Sequence, residues 1–140
     1  MKTRIAWTAA VCVLAVALAA GCASMGKGPS DEDLIKGALG TWKSALAAKN
    51  LDQLMGLYSE TYKDGEGRGK AEMKSFVADA ISQGYLDEVK VDMDSVETTI
   101  ESGKATTGPV YISSAAGSMT LSMAWAKEGD AWKIVGVDAY

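Results

Sequence analysis

Histidine is missing from the 140-residue chain. Its absence excludes an imidazole general base, a Ser-His-Asp triad and imidazole ligation of a metal. Cysteine is scarce, with only Cys12 and Cys22, so a disulfide-stapled scaffold and a thiolate metal cluster are also excluded. Basic charge is in deficit, 14 Lys and Arg against 18 Asp and Glu. Every acid lies beyond residue 30, so without Lys2 and Arg4 the balance is 12 basic against 18 acidic, a net −6. Nucleic acid, which needs a basic face, is not an expected partner. Asp92 and Asp94 alternate with Val91 and Met93 and so fall on a polar strand face; no metal site and no cofactor are expected. The run Gly65-Glu66-Gly67-Arg68-Gly69-Lys70 lacks a glycine at Asp64 and a hydroxyl at Ala71, so it is not a phosphate-binding loop. The longest apolar run, Ile5 to Ala17, falls short of the roughly 20 residues that span a bilayer.

That apolar run instead reads as the h-region of a signal peptide, behind the positive n-region Met1-Lys2-Thr3-Arg4. It ends in Leu18-Ala19-Ala20-Gly21-Cys22, which looks like a bacterial lipobox, although Ala19 stands where leucine is commoner. The resemblance implies a lipoprotein signal peptide over residues 1–21, with Cys22 as the acylated residue and membrane attachment through that lipid. Cys12 leaves with the leader, and a lone thiol at the new N-terminus makes sense as an attachment point. Ala23 follows the cysteine in place of an inner-membrane-retaining Asp, so the resemblance favours the outer membrane, with the domain facing the periplasm. Residues 22–29 are read as the lipidated cysteine and its tether, Ala23 to Pro29, with a reach of about 25 Å.

A domain is expected over residues 30–140. Ser30, followed by Asp31, Glu32 and Asp33, caps a first helix whose apolar stripe is Ile35, Leu39, Trp42 and Leu46. Asn50 ends it, and Asp52 is expected to cap a short helix from Gln53 to Tyr58. Tyr62 to Gly69 is expected to be a mobile loop beside a pocket. A third helix over Lys70 to Gln83 places Met73, Phe76, Val77, Ala80 and Ile81 on one face, with Gly84 as the residue that ends it.

Beyond Gly84 the apolar period falls to two. Val89, Val91 and Met93 share a face, then the phase slips to Val96, Thr98 and Ile100, predicting a bulge at Asp94-Ser95. Ser102-Gly103 makes a two-residue turn opposing Glu101 to Lys104, and Gly108-Pro109 marks an edge or a bulge in the next strand. The last hairpin is the clearest. Met119, Leu121, Met123 and Trp125 alternate with small polar residues, and Gly129-Asp130 is a Gly-first loop pairing Glu128 with Ala131 and Trp125 with Ile134. Continued regularly, that register puts Trp132, Ile134, Gly136 and Asp138 on the face of Trp125 and Leu121. Gly136 then lies opposite Met123 and Asp138 is buried.

Three helices followed by a strand meander predict an α+β domain with the helices on one face of a curved antiparallel sheet of four to five strands. Trp42-x-x-Ala45-Leu46, Asp52-x-Leu54-x-x-Leu57-Tyr58 and Trp132-Lys133-Ile134-Val135-Gly136 resemble the nuclear transport factor 2-like superfamily over residues 31 to 140. The resemblance implies a cone of sheet closed by helices around an apolar pocket. Fold alone does not assign a function, since that superfamily includes isomerases, cyclases, transport factors and association domains. The expected pocket residues are Trp42, Tyr58, Tyr62, Phe76, Met93, Tyr111, Met123 and Trp125, with Asp138 as the polar handle. Most of these are also expected to pack the core. The leading expectation is a lipid-anchored, non-catalytic domain that binds a small apolar ligand or a protein partner, with no assigned catalytic residue. The alternatives are an oligomerising envelope domain, with a homodimer through the sheet, and a pocket enzyme of isomerase or cyclase type using Asp138 as base.

Overall fold

The computed structural model describes residues 28–140; the expected signal peptide, Cys22 and most of the tether lie outside the described residues. Residues Asp31–Tyr140 form one compact unit. Helix α1 spans Asp31–Ala47, α2 Leu51–Met55 and α3 Lys70–Ser82. Five strands follow: β1 Lys90–Asp92, β2 Glu97–Glu101, β3 Lys104–Ser114, β4 Gly117–Glu128 and β5 Ala131–Ala139. All pairings are antiparallel, in the order β1-β3-β4-β5, with β2 also on β3.

The helix stripe of α1 packs as its spacing predicts: Ile35, Leu39, Trp42, Ala45 and Leu46 are all buried. Asp31 in its first turn accepts from Lys127 Nζ at 2.7 Å and Trp132 Nε1 at 3.1 Å, tying the helix start to the β4–β5 hairpin. Asn50 rather than Asp52 caps α2, its Oδ1 accepting from Gln53 N at 3.1 Å. Lys49 takes the left-handed conformation just before, so the helix starts two residues earlier than expected and Asn50 becomes the side-chain acceptor. In α3, Met73 and Val77 are buried, but Phe76 is 52% exposed and lies instead under the Arg68 guanidinium, 4.7 Å from its centroid.

The phase slip after Met93 is not a bulge within one strand. β1 and β2 are separate pieces laid end to end along β3, with Asp92 opposite Tyr111 and Glu97 opposite Gly108. Four residues of the break, 93–96, thus face only Pro109 and Val110. The bulge is in β3 itself, between Thr107 and Val110, at Gly108-Pro109. A proline can sit in this strand, which is paired on both sides, because the bulge relieves it of a ladder hydrogen bond.

The hairpin register holds at Glu128↔Ala131 and Trp125↔Ile134, then slips by one residue, so that Ala124 pairs with Gly136, Met123 with Val137, Ser122 with Asp138 and Leu121 with Ala139. The cause lies on the other side of β5, where residues 57–63 run along its edge. Ile134 N donates to Leu57 O at 2.8 Å, Ile134 O accepts from Ser59 N at 2.8 Å, and Val135 O accepts from Lys63 N at 3.0 Å. A regular strand sends successive carbonyls to opposite sides. Here two in a row turn to one segment, which requires a bulge at Val135. Gly136 therefore faces Ala124, not Met123, and lies beneath the loop: a Cβ there would sit 3.2 Å from the Lys63 carbonyl oxygen. The glycine provides close backbone approach rather than space in the cone.

Gly136→Ala is expected to destabilise the domain by about 1–3 kcal/mol, because neither the paired strand nor the Lys63 carbonyl can give way freely. Urea unfolding checks this; an unchanged midpoint would mean that the edge segment is not held against Gly136.

Candidate functional site

Of the expected pocket residues, five come together in the interior. Trp42, Tyr58, Tyr62, Met123 and Trp125 are each at most 5% exposed and share one core with Ile35, Val110 and Ile134. Their polar atoms are used locally. Trp125 Nε1 donates to the buried Thr107 Oγ1 at 2.9 Å, and Trp42 Nε1 donates to Tyr58 Oη at 3.2 Å. Tyr58 and Tyr62 meet edge to face with centroids 5.0 Å apart, the arrangement favoured by aromatic quadrupoles. Burial pushes the Tyr58 phenol up to about 12 against the opposing Trp42 hydrogen bond. Burial, with Tyr58 and Asp64 nearby, raises Tyr62 well above the ordinary phenol range. Both therefore stay neutral at physiological pH and supply no phenolate base. Tyr62 Oη is the single buried side-chain polar atom without a hydrogen-bond partner among the described residues.

The other four candidates lie elsewhere. Phe76 is on the outer side of α3, Met93 is half-buried at the break between β1 and β2, and Tyr111 and Asp138 are exposed. The bulge at Val135 is the reason for Asp138, since a one-residue slip exchanges the faces of a strand. Asp138 pairs with Ser122 on the helix-free face and lies beside Gly65, where a Cβ would come within 2.7 Å of its Oδ1. It cannot join the interior aromatics as a buried base.

The loop expected to be mobile is built around Asp64. Its Oδ1 accepts from Glu66 N at 3.0 Å and Arg68 N at 2.9 Å, while Oδ2 accepts from Arg68 Nε at 2.6 Å. Desolvation alone would raise the Asp64 carboxyl, but the Arg68 guanidinium and the two backbone donors outweigh it and hold it below the ordinary carboxylate range. Arg68, stacked on Phe76, links this loop to α3.

A second place was not assembled by sequence reasoning. On the helix-free face, the pairings align Asp92, Tyr111, Thr120 and Tyr140 in one row across four strands. Lys90, Ser113 and Ser118 form a second row two residues along. Together with Val91, Ile112 and Met119 they line a groove of about 490 Å³, within the range of small-ligand sites. Tyr111 is 46% and Tyr140 74% exposed. Tyr111 was legible as a candidate by its type. Tyr140 was not, because its face depends on the bulge at Val135, five residues earlier. Among the described residues no three Asp, Glu or Cys converge as metal ligands.

No family model and no curated protein sequence matches the chain. Solved structures do. Nuclear transport factor 2-like (NTF2-like) proteins of unknown function from Pseudomonas putida and Shewanella oneidensis match with TM-scores of 0.65 and 0.62. Their identities are 11% and 16%, covering 80% and 79% of this chain and 88% and 98% of theirs. Bd1075 of Bdellovibrio bacteriovorus matches with a TM-score of 0.66 at 15% identity; 77% of this chain is covered, but it spans only 39% of that protein. The fold is the nuclear transport factor 2-like cone of helices on a curved antiparallel sheet. At these identities the likeness extends to fold alone.

The folded-state pKa of Asp64 is below its unfolded value near 3.9, so its contribution to stability is present at neutral pH and is lost as pH falls through that range. Asp64→Asn is expected to lower the urea midpoint at pH 7 and to narrow the gap from wild type as pH drops below about 4. Parallel pH profiles for the two proteins would show that the carboxylate does not hold the loop.

Proposed function

We propose that the chain is a lipid-anchored domain of the cell envelope, attached through Cys22, that binds an envelope component non-catalytically on the helix-free face of its sheet. The observation that carries this reading is the division of the aromatics. Those inside the cone are buried in the core, where Trp42 bonds to Tyr58 and Trp125 to Thr107, whereas Tyr111 and Tyr140 stand exposed over a groove. Contiguous exposed apolar surface marks interaction sites, and Tyr111 and Tyr140 fall in one cross-strand row. The interior does not support the Asp138 enzyme, since Asp138 lies outside it and the two buried phenols are neutral.

A second reading has its own support. The exposed rings of Tyr111 and Tyr140 equally offer apolar surface to another sheet. A putative calcium/calmodulin-dependent protein kinase type II association domain from Thiobacillus denitrificans shares the fold, with a TM-score of 0.60 at 13% identity over 74% of this chain and 91% of its own. In that reading the sheet face meets a second copy of this chain.

Two measurements test these readings. Cys22→Ala should abolish palmitate incorporation and move the protein out of the membrane fraction, because the acyl chains supply the attachment; unchanged fractionation without labelling of wild type would rule out the anchor. A photo-crosslinking residue placed at Tyr111 should give a discrete adduct in cells, and the same residue at exposed Lys36 on α1 should give none. An adduct of twice the protomer mass selects the oligomeric reading. Absence of any adduct at Tyr111 overturns both uses of the face.

A further inference from the structure

We propose that the groove on the helix-free face is a carbohydrate site that takes successive rings of a neutral glycan chain; this rests on the reading of that face as the binding surface. The cross-strand row sets the spacing. Tyr111 on β3 and Tyr140 beyond β5 are separated by β4, which carries Thr120 between them. Two strand intervals place the phenols about 10 Å apart, the reach of a disaccharide, so each phenol can meet a different sugar ring. Aromatic faces carry negative charge density and attract the polarised C–H bonds of a pyranose.

The polar groups of the groove decide against other ligands. Ser113 and Ser118 stand opposite each other in the second row, flanked by Lys90, while Thr120 and Asp92 complete the first. Hydroxyls both donate and accept, the ammonium only donates and the carboxylate only accepts. A ligand covered in hydroxyls satisfies all three kinds. An apolar ligand would desolvate them without replacement bonds. A polyanion would meet Asp92, and a chain with 12 basic against 18 acidic residues beyond Arg4, with Lys90 alone in the groove to neutralise it. The volume of about 490 Å³ suits two rings.

The test is an NMR titration of full-length, isotope-labelled protein in a detergent without a sugar head group. Two neutral probes distinguish the classes of glycan: a soluble N-acetylglucosamine oligomer, for the amino-sugar chains of the cell wall, and a maltose oligomer, for plain hexose chains. Saturable amide shifts at Tyr111, Thr120 and Tyr140 with one of them are expected. Replacing Tyr111→Ala and Tyr140→Ala together should weaken that affinity by about 10- to 100-fold, whereas the paired Phe substitutions, which keep the ring faces, should cost much less. Native-like amide spectra of both variants establish that they fold. No shift with either probe, or shifts that survive the double Ala substitution, overturns the carbohydrate assignment. If the Tyr111 crosslink still forms in cells, the binding-face reading stands without it; if both fail, both fall.

Discussion

The edge of β5 is the constraint from which the rest of the domain follows. Ile134 is fully buried against Trp125 and also bonds through its backbone to Leu57 and Ser59 on the far side. The segment 57–63 thereby covers an edge that would otherwise present unpaired donors and acceptors. It also carries Tyr58 and Tyr62 into the core. Because Val135 turns its carbonyl to the same segment, the strand must bulge, and every residue after it changes face.

That change separates two kinds of surface. Inward, the three indoles find partners nearby, Trp42, Trp125 and Trp132 donating to Tyr58, Thr107 and Asp31, and the Tyr62 hydroxyl is left without one. Outward, Asp138 and Tyr140 join residues of β1, β3 and β4 on a face that no helix covers. The exposed rings of Tyr111 and Tyr140 therefore lie on the outside of the sheet.

Charge holds the periphery. Asp31 joins the first turn of α1 to the hairpin, and Lys127 and Trp132 keep its carboxyl below its ordinary range. Asp64 gathers a glycine-rich stretch into a fixed turn around Arg68. Glycine here allows close approach, at Gly65 beside Asp138 and at Gly136 beneath Lys63, rather than motion.

Local periodicity made much of this legible. The α1 stripe, the α3 helix, the Ser102-Gly103 and Gly129-Asp130 turns and the pairing nearest those turns follow from side-chain spacing and turn chemistry, which act within a few residues. The curved α+β sheet followed from the order of the elements. Asn50's role as cap, the exposure of Phe76, the split between β1 and β2, and the face of Asp138 and Tyr140 did not. The Asn50 cap follows from the backbone of Lys49 and the Phe76 contact from Arg68 in the preceding loop, whereas the other two depend on distant partners: Pro109 in β3, and above all residues 57–63 drawing two successive carbonyls of β5 to one side. Alternation in a sequence states which residues share a face only while the strand stays regular. Whether it stays regular is decided by what lies along its other edge.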